Sequence, residues 1–131
     1  MKLPIICEEF ILQADAKALA TFSTQSGAHV VPVSTVKIVD NDIVLINYFF
    51  GQTLKNLREN SEVALACWKG LAGYQVKATA RYEEGGELFD SIKSWVAEIL
   101  PDRVVKGIVI LKPKSVFDIS ADAEKAGKEV V

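Results

Sequence analysis

The sequence predicts a mainly β domain with short helices (α+β), in which about six antiparallel strands wrap into a closed or nearly closed barrel. Three observations predict it. Runs of strand length rich in β-branched residues recur between compact turn signals. Helices do not alternate regularly with strands, as they would in a βαβ chain. The 131 residues suit one domain, with a radius of gyration of roughly 14 Å and a correspondingly small core. Residues 1–131 therefore read as a single domain, in which Ala121 to Val131, rich in Ala, Lys and Glu, is a short helix or a frayed tail.

Each element has its own signal. From Pro4 to about Gln13, Ile5, Ile6, Phe10 and Ile11 or Leu12 are spaced as a helix stripe, with Pro4 suited to a first turn. Ala18 to Thr24 is strand-like and closes on the turn signal Gln25-Ser26-Gly27-Ala28. A second strand runs from Val30 to Val39, stops at Asp40-Asn41-Asp42, and gives way to a third from Ile43 to Phe50. Pro32 cannot donate to a ladder, so its strand is expected to be an edge or to have interrupted pairing there.

Gly51 to Asn60 reads as a two-turn helix with Thr53 as N-cap. Strands return at Val63–Trp68 and Tyr74–Tyr82, and Gly85-Gly86 ends the second of them. Glu87 to Leu100 places Phe89, Ile92, Trp95, Val96 and Ile99 at helical spacing, a stripe meant for core or interface, and Pro101 stops it. A last strand runs from Val104 to Leu111, with a possible extension to Ile119.

Composition excludes several classes of function. Half the residues are apolar, too many for a disordered chain, and 15 basic residues are scattered among 17 acidic ones. Without a cationic excess or stripe, no nucleic-acid partner is expected. Cys7 and Cys67 form no CxxC pair, and with the single histidine His29 they make no metal site. The start turns acidic at Glu8-Glu9 before an apolar leader can form, and no stretch approaches the roughly 20 apolar residues of a membrane helix. The expectation is a soluble, cytoplasmic protein without a membrane partner.

Hydrolytic motifs and the standard nucleotide loops are absent. His29 as a catalytic base competes with His29 as a solvent-facing strand residue, and the second reading is favoured. Glu83, Glu84 and Glu87 flank Gly85-Gly86 as a solvated turn. The segment that stands out is Tyr48-Phe49-Phe50-Gly51-Gln52-Thr53-Leu54-Lys55-Asn56-Leu57, where a strand ends, a glycine permits close approach and a helix begins. Free N–H groups at a helix start favour an anion, so Gln52, Thr53, Lys55 and Asn56 are phosphate candidates. On the local pattern alone, Thr53 as a simple cap and Lys55 facing water explain the segment equally well.

The order of short strands followed by Gln52-Thr53-Leu54-Lys55-Asn56-Leu57 and the step Asn60-Ser61-Glu62-Val63 resembles the pyridoxamine 5′-phosphate oxidase-like family of FMN-binding split barrels, and Gly73-Tyr74-Gln75-Val76-Lys77-Ala78-Thr79-Ala80 is similar to a later strand of that family. The likeness spans roughly Leu19 to Leu111. It implies a six-stranded split β-barrel and a homodimer that binds FMN at its interface, acting as an oxidoreductase or electron carrier with no catalytic side chain required. By position, Gln52, Thr53, Lys55 and Asn56 would meet the phosphate. Val33, Ser34, Thr35, Asn47, Tyr48 and Phe49 would line the ribityl chain and the ring, and Trp68 could shield the flavin of a neighbouring subunit.

Two departures from the family pattern matter. Pro32 to Thr35 holds no arginine or lysine for the phosphate, so Lys55 and a lysine from elsewhere are expected to compensate. The end of the sequence, Ala126 to Val131, lacks the arginine-containing segment of the true oxidases, so that activity is not expected. A deazaflavin or haem binder on the same fold and a cofactor-free dimeric interaction module are the alternatives. A small barrel fills its own interior with side chains, so any ligand must sit in a surface crevice that a second copy can cover.

Overall fold

Strand pairing in the computed structural model, which describes Met1–Val131, yields seven strands rather than six. In chain order the elements are α1 (Ile5–Gln13), β1 (Ala16–Ser23), β2 (Gly27–Val33), β3 (Val36–Val39), β4 (Asp42–Asn47), α2 (Gln52–Glu59), β5 (Glu62–Lys69), β6 (Ala72–Glu83), α3 (Glu87–Ile99) and β7 (Gly107–Asp118). The extra strand arises because the run expected to be one strand from Val30 to Val39 breaks at Ser34-Thr35. Its first half pairs with β1 and its second half with β4. The sheet is antiparallel throughout in the order β2-β1-β5-β6-β7-β4-β3, so those two halves lie on its opposite edges. Pro32, opposite Ala18, sits in an edge strand as its missing N–H requires.

The sheet curls until its two ends share one interior. Val31 and Val33 of β2 and Val36 of β3 pack against the same cluster as Leu19, Leu45, Leu65 and Leu111. This is the barrel core, and its split lies between the unpaired edges. The alternation of a strand sends Ile43 and Leu45 into that core, while Val44 and Ile46 point outward. The outward residues are nevertheless buried, because α3 lays Phe89, Ile92 and Val96 over them together with Ile108 and Ile110 of β7. β4 and β7 are thus covered on both faces, which explains their near-continuous apolar runs. The β3–β4 turn has Asp40 and Asn41 at φ 49° and 71°, a tight two-residue hairpin of the kind asparagine and aspartate favour.

Helix α1 sits over the barrel core, but the stripe expected for it is displaced. Leu3, Cys7 and Ile11 are the buried residues, whereas Ile5, Ile6 and Leu12 are exposed. The spacing i, i+4, i+8 holds once the cysteine is counted among the apolar residues. Asn41 anchors the segment, accepting from the Leu3 N–H and donating to the Met1 carbonyl, both at 2.7 Å. The last eleven residues form neither a helix nor a free tail. Beyond Leu111, β4 has ended and β7 has an open side. There Val116 donates to the Val131 carbonyl, Val130 to the Val116 carbonyl and Asp118 to the Lys128 carbonyl. Pro113 is placed beside the register shift between β6 and β7, where its lack of a donor costs least.

Both cysteines are fully buried and free. Burial pushes the Cys67 thiol up to about 12, against a small opposing effect of Lys17. It raises Cys7 as well, helped by the negative charge of Asp118. Each thiol is therefore protonated and shielded, and the folded protein should be inert to a disulfide reagent at pH 8, with both thiols reacting once urea unfolds it; prompt reaction of the native state would contradict this packing. Because both thiols are raised above the unfolded value, their contribution to stability is complete below about pH 8.5 and is lost as pH rises above it, for Cys67 toward about 12.

Candidate functional site

The site is assembled where β4 ends. Asn47 is 2% exposed; its Oδ1 accepts from the Phe50 N–H and its Nδ2 donates to the Tyr82 hydroxyl, both at 2.7 Å. These two bonds fix the turn that leads into α2. Within the turn, Tyr48 is buried and its hydroxyl donates to Thr35 Oγ1 at 2.9 Å, tying the turn to the crossing between β2 and β3. Phe49 points outward at 84% exposure, and Phe50 packs back on the barrel core.

Gly51, not Thr53, is the N-cap of α2, and no side chain caps the helix. Leu54 and Lys55 donate to the Gly51 carbonyl, while the N–H groups of Gly51, Gln52 and Thr53 have no intramolecular partner. Thr53 instead lies in the first turn, 1% exposed. The displaced cap follows from the Asn47 turn, which brings the chain into the helix one residue before the threonine.

Asn56 is fully buried and holds α2 to the β1–β2 hairpin. Its Oδ1 accepts from Ser26 Oγ at 3.0 Å and Gln52 Nε2 at 2.8 Å, and its Nδ2 donates to Thr21 Oγ1 at 3.1 Å. The Ser23 and Ser26 hydroxyls, 2.7 Å apart, complete the network.

Two hollows flank the start of α2. The first, of about 230 Å³, lies between β2 and the β4–α2 turn. Val33, Ser34, Tyr48, Phe49 and Thr53 line it, so five of the ten expected ligand residues share one wall system. The free edge of β2 faces no other strand, which leaves backbone polar groups available along it. The second hollow, about 450 Å³, has no apolar lining and takes Gln52 and Lys55 together with Ser23, Ser26 and Arg58. Thr35, Asn47 and Asn56 line neither; the first two brace the turn and the third braces the helix.

His29 lines the first hollow, half-buried, rather than facing solvent from the strand. The residue that sequence reasoning missed is Arg103, in the connection from α3 to β7, which also lines it. The absence of a cation at Pro32–Thr35 pointed elsewhere, but to a lysine, and the cation in the lining is this arginine. Trp68 lies away from the site, beside Leu71 and Ile119 at the β5–β6 hairpin. No group of three or more His, Cys, Asp or Glu side chains is arranged to hold a metal ion, and no helix is long and apolar enough to cross a membrane.

Comparison with known proteins matches residues 4–126 to the family model described as pyridoxamine 5′-phosphate oxidase. An uncharacterised protein of Methanocaldococcus jannaschii, MJ0282, is 32% identical over 130 residues, covering 94% of this chain and 86% of its own. Among solved structures, HupZ of Group A Streptococcus superposes with a TM-score of 0.82 at 19% identity, over 96% of this chain and 98% of its own. An FMN-binding protein of Syntrophomonas wolfei gives 0.72 at 17% identity, over 90% and 91%. The haem storage protein HutZ of Vibrio cholerae gives 0.69 at 16% identity, over 89% and 94%. These likenesses establish the split-barrel fold.

Proposed function

This chain belongs to the pyridoxamine 5′-phosphate oxidase-like family of split barrels, and from that premise we propose that it is a flavoprotein holding FMN in the crevice between β2 and the β4–α2 turn. One observation carries the proposal. The hollow joins an unpaired strand edge, suited to the polar rim of a flat ring, to a helix start whose free N–H groups suit a phosphate. Val33, Ser34, Tyr48 and Phe49 would hold the ring and ribityl chain, and the Thr53 side chain with the free N–H groups at the start of α2 would hold the phosphate. Bound FMN would supply an isoalloxazine that accepts and returns electrons; the chain's part is to bind, orient and shield it, as an oxidoreductase or a carrier.

A second copy belongs to this reading. The hollow of about 230 Å³ is below the roughly 300–1,000 Å³ of ligand pockets. Phe49 in its lining is 84% exposed, and Val30 and Val104, next in the chain to lining residues, are 65% and 73% exposed, apolar surface suited to burial against a partner. A homodimer would enlarge the pocket and cover this apolar surface at once.

The visible spectrum of the purified protein with added FMN tests the proposal. A flavin band that stays with the protein through gel filtration is expected, and FMN left free at micromolar protein would overturn it. Thr53→Ala should weaken FMN by about 10-fold or more, the loss of one charge-assisted bond, and leave riboflavin nearly unchanged. Equal loss for both flavins would contradict the phosphate assignment. The placement of His29 in the same wall favours one other reading, haem held through that imidazole. Its mark would be a Soret band that His29→Ala shifts or abolishes.

A further inference from the structure

Resting on the assignment of the crevice as a cofactor site, we propose that Arg103 is its anion-recognition residue, selecting an occupant that carries a phosphate or carboxylate group. The connection from α3 to β7 is held in place at several points. Arg103 N–H donates to the Leu100 carbonyl at 3.0 Å, Val105 is buried beside Tyr48 under α3, and Lys106 N–H donates to the Asn47 carbonyl at 3.0 Å. This anchoring delivers two cations to two aromatic rings. The Arg103 guanidinium lies 5.0 Å from the Tyr48 ring centroid and the Lys106 ammonium 5.7 Å from that of Phe49.

Tyr48 is itself fixed by Thr35, so the guanidinium rests on a rigid platform at the mouth of the crevice. The guanidinium makes no side-chain hydrogen bond within the protein, so its N–H groups are free to donate in pairs to phosphate or carboxylate oxygens. No carboxylate answers it. The charged or titratable side chains of the lining are Arg103, His29 and Tyr48, and neither ion pair in the protein involves Arg103. Lys55, the cation expected from the sequence, faces the other hollow. Arg103 therefore supplies from outside the barrel the positive charge that Pro32–Thr35 lacks.

The test compares ligand pairs that differ only in the anionic group. For Arg103→Ala against the parent protein, FMN should bind about tenfold or more weakly and riboflavin less than twofold, with Arg103→Lys between them. If the crevice holds haem instead, the same contrast should separate haemin from its dimethyl ester. An unchanged ratio within whichever pair binds overturns the role of Arg103 while leaving the cofactor assignment intact. If the parent protein binds neither pair, the cofactor assignment fails, and inorganic phosphate then decides for Arg103 alone. Slower modification of Arg103 by phenylglyoxal in phosphate than in chloride of equal ionic strength supports an anion site, and equal rates overturn it.

Discussion

Gly107→Ala should destabilise the protein by about 2–4 kcal/mol, although the substitution adds one methyl group. A Cβ at Gly107 would stand 2.1 Å from the Tyr82 hydroxyl oxygen and 2.3 Å from its Cζ, so the ring crosses β7 directly over this glycine. The hydroxyl is there to accept from Asn47 Nδ2. Displacing the ring therefore strips a partner from the carboxamide of a residue that is 2% exposed, and the same carboxamide holds the turn before α2. The effect should appear both as a lower urea midpoint and as weaker cofactor binding, since the turn forms one wall of the crevice. In a Tyr82→Ala background the obstruction is gone, and Gly107→Ala should then cost less than about 1 kcal/mol. A cost that is the same in both backgrounds would show that the glycine is needed for something other than the tyrosine.

Asn56→Ala should cost about 2–3 kcal/mol and lower Tm by roughly 10 °C for a domain of this size. The side chain is fully buried and uses three bonds, so its removal leaves Thr21, Ser26 and Gln52 without their partner. α2 would then be tied to the β1–β2 hairpin by packing alone. Cofactor affinity should fall modestly, through a loosened helix start. A variant that keeps its Tm while losing FMN affinity more than tenfold would instead make Asn56 a direct ligand. Differential scanning calorimetry beside a flavin titration separates the two.

These residues show how far the sequence carried and where it stopped. Strand and helix bounds followed from local composition, because turn signals and β-branched runs act within a few residues. The break at Ser34-Thr35 was not legible, since both halves of Val30–Val39 are equally strand-like and only their partners differ. The displaced stripe of α1 had a similar cause: Cys7 is buried as an aliphatic residue would be. Val33, Ser34, Tyr48, Phe49 and Thr53 were placed together through a family likeness, and the structure sets them around one hollow. Arg103 and the bracing roles of Asn47 and Asn56 were out of reach. They depend on contacts across 30 or more residues that no local pattern records.

The crossing at Ser34-Thr35 also governs when the crevice can come into being. Its walls belong to β2, first in the hydrogen-bonded order, and to β4, next to last, although only eight residues separate the two strands in the chain. Those eight residues cannot bring the walls into their final relation alone, because β2 is registered by β1 and β4 by β7. β1 in turn waits for β5, and β7 for β6, which are long-range pairings of the kind that form slowly. The crevice is therefore expected to be among the last features completed as the chain folds, its two walls meeting only after the sheet has curled.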